Sequence, residues 1–332
     1  MGESAIYDQL AESIGAGDSP TMPRIFQTLA DEKEARVLLA ASPPATIEDL
    51  SDKTGIPADE IEKMIDPLFK KGLIFKSKKP DATRYYRVRS LMQFHDSSAV
   101  TINPPSEMLA LWKEFTAREW PKFYKQMTDM LPNPVIRIIP VNVSVEPGAR
   151  ILAVDDIKNH IEKARNIAVT VCSCRAIDGA CDKPLDVCMQ LDKAADYAVE
   201  RGTGRQLNKQ EAIDMLKMCE EEGLVHIAMN SKELGHVICN CCEDCCVNWP
   251  SSADNITKFV APSRFEALID PEVCSGCETC LERCYFNAIS MEEEGDTAVV
   301  DSEKCMGCGL CVVPCPEEAI TLKETRPETF IQ

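Results

Sequence analysis

Cysteine is the residue through which this chain can do chemistry: it has 18 of them in 332 residues, and all but Cys219 fall in four short clusters. Two clusters near the C-terminal end are the most regular. Cys274-Ser-Gly-Cys277-Glu-Thr-Cys280-Leu-Glu-Arg-Cys284 and Cys305-Met-Gly-Cys308-Gly-Leu-Cys311-Val-Val-Pro-Cys315-Pro316 both read C-x2-C-x2-C-x3-C. Three thiolates at this spacing wrap one tight loop around an iron–sulfur cluster and leave one iron to be bound from elsewhere. A doubled occurrence, with a Pro after the last Cys, is not a product of chance.

Residues 264–325 resemble the bacterial two-cluster ferredoxins, in which the fourth cysteine of each run ligates the other cluster. The resemblance implies two [4Fe–4S] clusters, one held by Cys274, Cys277, Cys280 and Cys315, the other by Cys305, Cys308, Cys311 and Cys284. It also implies low potentials and a doubled βαβ-like fold, with a brief helix after each cysteine triplet. Phe265–Asp270, Ala288–Met291, Thr297–Asp301 and Ala319–Lys323 read as its strands. Gly276, Gly307 and Gly309 let backbone amides approach the cluster sulfides. One position departs from the family: Tyr285 follows Cys284 where a Pro is usual, which alters a local turn without removing a ligand.

Nine further cysteines lie upstream, as Cys172, Cys174, Cys181 and Cys188, and as Cys239, Cys241, Cys242, Cys245 and Cys246. Core packing accounts poorly for so many thiols, although free Cys is often buried. In an extended segment C-x-C turns both sulfurs to one face, because side chains alternate. Adjacent pairs such as Cys241-Cys242 and Cys245-Cys246 point apart and serve different centres. One or two further iron–sulfur clusters are expected here, with zinc the competing reading. Which sulfurs share a centre is left open, since the two segments can interleave. Cys219 reads as a core residue, His226 and His236 as structural or solvated, and Gly202-Thr-Gly204-Arg205 as a helix-terminating turn.

The elements that position these thiols follow from hydrophobic pattern and turn chemistry. Val135–Val145, Arg150–Val154, Ile167–Val171, Leu224–Met229 and Leu234–Ile238 read as strands. Helices are expected from Asp155 or Asp156 to Asn166, over Leu191–Arg201, and over Lys209–Glu222 with an Asn208/Glu211 capping pair and a closing Gly223. Two strand ends thus emit the two cysteine segments, and a small mixed sheet brings them to one rim. Upstream, Asp31–Ala41, Thr46–Thr54 and a stretch from Pro57 to Lys71 read as helices, followed by two strands around a basic turn. That order resembles winged-helix domains. Pro104 to Asp129 reads as a long amphipathic stretch that Pro121 kinks or divides, with Met108, Leu111, Trp112, Phe115 and Phe123 as core.

The fold class expected is therefore α+β and multidomain. Its parts are a winged-helix-like domain (1–95), a helical linker (96–134), a central cysteine-rich mixed α/β domain (135–262) and a dicluster ferredoxin domain (263–332).

Composition narrows the function. With 45% apolar and 27% charged residues the chain looks globular. No apolar run approaches a membrane span, and no signal stretch opens the sequence. Reduced thiols in the cytoplasm of an anaerobic or microaerobic cell are expected. Net charge is −18, and Glu266 to Gln332 holds 15 Asp/Glu against 4 Lys/Arg, which suits docking onto a basic patch of a redox partner protein. The hairpin region from Lys70 to Arg89 carries eight basic residues against one acid, but the helix before it opens with Asp59, Glu60 and Glu62, which repel phosphate, so nucleic acid is not the expected partner. No nucleophile–base pair, flavin site or nicotinamide site is visible. Three functions remain: an electron-transfer protein, an oxidoreductase working at an open central cluster, and a redox-sensing regulator built on the winged-helix-like part.

Overall fold

The computed structural model describes residues 3–141, 156–249, 256–292 and 296–327. Part of the Val135–Val145 run and the whole of Arg150–Val154 lie outside the described residues. The chain forms two compact units, one of Met1–Tyr124 with Ser173–Gly179 and Glu200–Thr203, the other of Lys125–Cys172, Ala180–Val199 and Gly204–Gln332.

The first unit opens with helices α1 (Glu3–Ser13), α2 (Met22–Leu29), α3 (Glu32–Ala40), α4 (Ile47–Thr54) and α5 (Ala58–Lys70). Capping boxes start α3 and α4, through Asp31 with Glu34 and Thr46 with Asp49, each pair satisfying two otherwise unpaired N–H groups. Gly55 ends α4 in the left-handed conformation at φ 70°. Strands β1 (Ile74–Lys78) and β2 (Thr83–Arg87) form the expected antiparallel hairpin. Helix α6 (Leu91–Ala99), which the sequence reading did not separate from the hairpin, follows with a Ser90 cap. Pro121 divides the long amphipathic stretch into α7 (Ser106–Arg118) and α8 (Trp120–Met130). Trp112 is fully buried, stacks edge-on with His95 and Phe115, and donates to Ser98 Oγ at 3.0 Å.

The second unit is built on a seven-stranded mixed sheet. Its elements in chain order are β3 (Ile136–Ile139), α9 (Ile157–Lys163), β4 (Ile167–Val171), β5 (Asp186–Leu191), α11 (Lys193–Arg201), β6 (Gly204–Leu207), α12 (Lys209–Glu221), β7 (Val225–Met229), β8 (Val237–Cys241) and β9 (Val260–Ala261). Between β4 and β5 the chain makes α10 (Ser173–Asp178), which belongs to the first unit. Strand order is β6-β4-β5-β8-β7-β3-β9, antiparallel throughout except for β3 beside β9. One face packs against α9 and α12 through Ile157, Ile161, Leu216, Met189, Ile238 and Ala228. Strands β5 and β6 were not foreseen: β5 places the buried Val187, Met189 and Leu191 in alternation with Asp186, Cys188 and Gln190. The central dividing strand also begins later than expected, so Cys239 and Cys241 lie within β8 rather than beyond its end.

A buried polar chain ties this sheet to α12. His226 Nε2 lies 3.3 Å from Glu220 Oε1, its Nδ1 lies 2.5 Å from Asn240 Oδ1, and Asn240 Nδ2 donates to the Val187 carbonyl at 2.5 Å. Both side chains of the Glu220–His226 pair are wholly buried.

The remaining elements are β10 (Phe265–Ile269), α13 (Thr279–Glu282), β11 (Ile289–Met291), β12 (Ala298–Val300) and β13 (Ile320–Glu324). β10 pairs with β13 and β11 with β12, both antiparallel. The expected helix after the first cysteine triplet is present as α13. After the second triplet the chain makes turns instead, where Gly309 has φ 78° and Pro314 has no N–H to donate.

Because Asn240 sits between two cysteines, the polar chain beneath it also fixes β8. Replacing His226 by Leu takes the imidazole from a buried carboxyl and is expected to cost about 3–5 kcal/mol. Urea unfolding followed by circular dichroism checks this, with a loss below 1 kcal/mol contradicting a structural role for the pair.

Candidate metal centres

The eight ferredoxin-like cysteines gather into two groups of four. One cavity of about 360 Å³ is lined by Cys274, Cys277, Cys280 and Cys315, together with Ile269, Ala298 and Ile320. A second, of about 320 Å³, is lined by Cys284, Cys305, Cys308 and Cys311, with Ala267, Ala288 and Met306. Each group thus takes three thiols from one run and one from the other. The donor set is sulfur alone, set in apolar walls, and it fits a thiolate-ligated iron–sulfur cluster.

Backbone geometry accounts for the spacing. Gly276 and Gly307 have φ values of 68° and 66°, a region that strains any residue with a side chain. A Cβ on Gly276 would also overlap the Asp296 carbonyl oxygen, and one on Gly307 would overlap the Phe265 carbonyl oxygen and Ser263 Oγ. Hydrogen bonds reach the sulfurs directly: the Ala288 N–H donates to Cys284 Sγ at 3.3 Å, and Thr279 Oγ1 to Cys277 Sγ at 3.5 Å. The Thr279 hydroxyl holds the Cys277 thiol below its usual range. Burial does the opposite in the second group, pushing Cys308 up to about 12. The two groups differ in environment, with Cys277 exposed in the first and Cys305 and Cys311 buried in the second.

Tyr285 does more than alter a turn. Its ring is half-buried, and desolvation pushes its phenol up to about 12 against the opposing charge of Arg283, with Glu243, Cys242 and Asp244 adding to the rise. Arg283 donates to the Glu221 carbonyl at 2.6 Å, and Phe286 meets Trp249 edge-on at 5.6 Å. A Cβ at Gly223 would meet both the Arg283 guanidinium and, at 3.1 Å, the Tyr285 hydroxyl. The residues around Cys284 thus close on the end of α12 and on the segment that carries Cys242. A Pro at position 285 could not supply this contact.

The central cysteines are brought together only in part. Cys181 Sγ lies 3.6 Å from Cys242 Sγ and 3.7 Å from Cys245 Sγ, and these three form a potential metal-binding group. Cys172, Val187, Cys219 and Leu224 pack against them. Cys241 is buried, and the neighbouring thiols of Cys239 and Cys246 together with burial push its own well above the usual range. Cys188 accepts from Gln190 Nε2 at 3.1 Å. Cys172 and Cys174 do not form an extended C-x-C pair: the chain leaves the sheet at Cys172 and enters α10, where Ser173 Oγ donates to Asp96 Oδ1 at 2.9 Å. An all-sulfur set of this kind suits iron–sulfur clusters or zinc, for which Zn–S bonds are about 2.3 Å.

The sequence reading missed two contributors, Asn240 and Glu220 of the polar chain under β8, and read Gly223 only as a helix stop although the Arg283–Tyr285 contact also requires it. A buried acid at the C-terminal end of α12 gave no sequence signal, whereas an Asn between two cysteines in a strand did.

Among proteins of known family, residues 267–322 match the 4Fe-4S dicluster domain. No curated protein and no solved structure matches the chain. The match covers the second unit's C-terminal part and supports [4Fe–4S] binding there. No helix among the described residues is long and apolar enough to cross a membrane.

Gly307→Ala is expected to cost about 1–3 kcal/mol from its backbone conformation alone. The overlap with Phe265 and Ser263 should also spoil the second cavity. Iron analysis of the anaerobically prepared variant should show loss of one cluster, about four irons, with the other retained. Full retention of iron would contradict this.

Proposed function

We propose that this protein is a multi-cluster iron–sulfur electron-transfer protein, passing low-potential electrons through its dicluster region to or from an oxidoreductase partner. The observation that carries the reading is the seam formed by Arg283, Tyr285 and Phe286, which sets Cys284 beside the segment bearing Cys242. A ferredoxin that worked alone has no use for such a contact.

When bound, each cluster takes up and releases single electrons, at potentials that the class spreads over roughly −700 to +450 mV. In this reading Cys274, Cys277, Cys280 and Cys315 hold one cluster, and Cys305, Cys308, Cys311 and Cys284 the other. Cys172, Cys174, Cys181, Cys188, Cys239, Cys241, Cys242, Cys245 and Cys246 provide for one or two more. Backbone and side-chain N–H and O–H donors to sulfur tune the potentials, and the apolar walls keep water from the sulfides. Exposed Cys277 marks the edge where a partner approaches. Leu268, Val273 and Val299 are exposed apolar residues of the same C-terminal part, and the surrounding acids favour a partner with a basic rim.

Residues 1–95 are read as a winged-helix-like module from their run of helices followed by a hairpin. Its charges favour protein over nucleic acid. Lys63 and Lys70 pair with Asp59 and Asp66 on α5, and hairpin Lys76 pairs with Glu200 at 2.7 Å. A reducing cytoplasm suits thiols kept free for metal.

Iron and acid-labile sulfide in anaerobically purified full-length protein test the reading. The dicluster region accounts for about eight irons, so a total of twelve or sixteen is expected. A total of eight, or zinc in the central block, would overturn the intramolecular relay.

A further inference from the structure

We propose that the central cysteines form two separate all-thiolate metal sites, divided by strand β8 rather than by chain segment. One is Cys181, Cys242 and Cys245 with Cys172; the other is Cys239, Cys241 and Cys246 with Cys188. This rests on the reading above that the central block binds metal, and adds which thiols share a centre.

Strand alternation makes the division. Ile238 and Asn240 point to the face packed by α12, where Ile238 joins the core and Asn240 donates to the Val187 carbonyl. Cys239 and Cys241 therefore point to the opposite face. In the neighbouring strand Met189 lies opposite Ile238 and Gln190 opposite Val237, a register that sets Cys188 beside Cys239. Residues opposite one another in a sheet share a face. Cys188, Cys239 and Cys241 are consequently neighbours on one side, and Cys246, which acts electrostatically on Cys241, is assigned as the fourth thiol.

The other site lies across the sheet. Cys242 is the first residue past β8, so its side chain falls opposite that of Cys241. There it meets Cys181 at 3.6 Å, and Cys245 joins at 3.7 Å. Val187, which shares the Ile238 face, packs in the same cluster and confirms the side. Each doublet is thereby split, Cys241 from Cys242 and Cys245 from Cys246. Cys172, just past the end of β4, packs against this cluster and is assigned as the fourth ligand. Cys219 packs there from within α12 and is read as part of the core.

The test uses full-length protein purified without oxygen, with iron, sulfide and zinc counted per chain and the reduced protein followed by electron paramagnetic resonance. Cys242→Ser and Cys245→Ser should abolish one centre and spare the other. Cys241→Ser, Cys246→Ser and Cys188→Ser should do the reverse. Double variants within a set should lose no more metal than single ones, and doublet variants such as C241S/C242S should lose both centres. C219S should keep both. Since a variant can fail to fold, the unaltered protein is also stripped stepwise with a chelator and alkylated. Thiols of one set should become labelled together by mass spectrometry. Loss of the same centre from C241S and C242S, or joint labelling of Cys181 with Cys188, would overturn the partition. Zinc in either set would support the partition while defeating that centre as an electron carrier, so the two readings fail separately.

Discussion

A thiolate is a poor tenant of an apolar interior unless a cation shares the site, and this constraint governs the second unit. Burial pushes Cys245 and Cys308 up to about 12, and Cys311 well above its ordinary value. At neutral pH such thiols stay protonated until a metal supplies the compensating charge. Binding and ionisation are therefore one event, and the protein's task is to hold sulfurs close enough to share a centre. The rigid sheet, the left-handed glycines and the buried polar chain under Asn240 all serve that task.

The second unit joins two different ways of presenting thiols. In the dicluster region, loops wrap around each cavity and only short strands frame them. In the central block, a broad sheet carries cysteines within strands and at their ends, so alternation decides which face each one serves. The seam at Arg283, Tyr285 and Phe286 links the two. It joins the loop that carries Cys284 to the end of α12 and to the segment that carries Cys242. Tyr285, the one departure from the ferredoxin pattern, falls at this seam.

Much of this was legible in the sequence where local chemistry decides structure. The capping pair at Asn208/Glu211 and the glycine stop at Gly223 announced a helix that the structure contains. The cysteine spacing in residues 267–322 pointed to the domain that the family comparison supports. What local pattern could not supply was pairing between distant strands. Asp186–Leu191 alternates, but it follows a Pro-containing loop and its Leu191 was read as the start of a helix, so β5 went unseen and Cys188 had no assigned face. Without its register against β8, the grouping of central thiols was open. The C-x-C at Cys172 looked extended, yet Ser173 begins a helix tied to Asp96, a contact no neighbouring residue announces.

The account's central claim is that electrons are shared beyond the dicluster region, and a stoichiometric reductive titration measures that directly. Full-length protein would be reduced anaerobically while its visible absorbance is followed. In the proposed reading the two clusters of the dicluster region would accept one electron each. Uptake of three or four electrons per chain is the result expected here. Uptake that stops at two, with the central thiols loaded with metal, would show that they take no part in electron transfer.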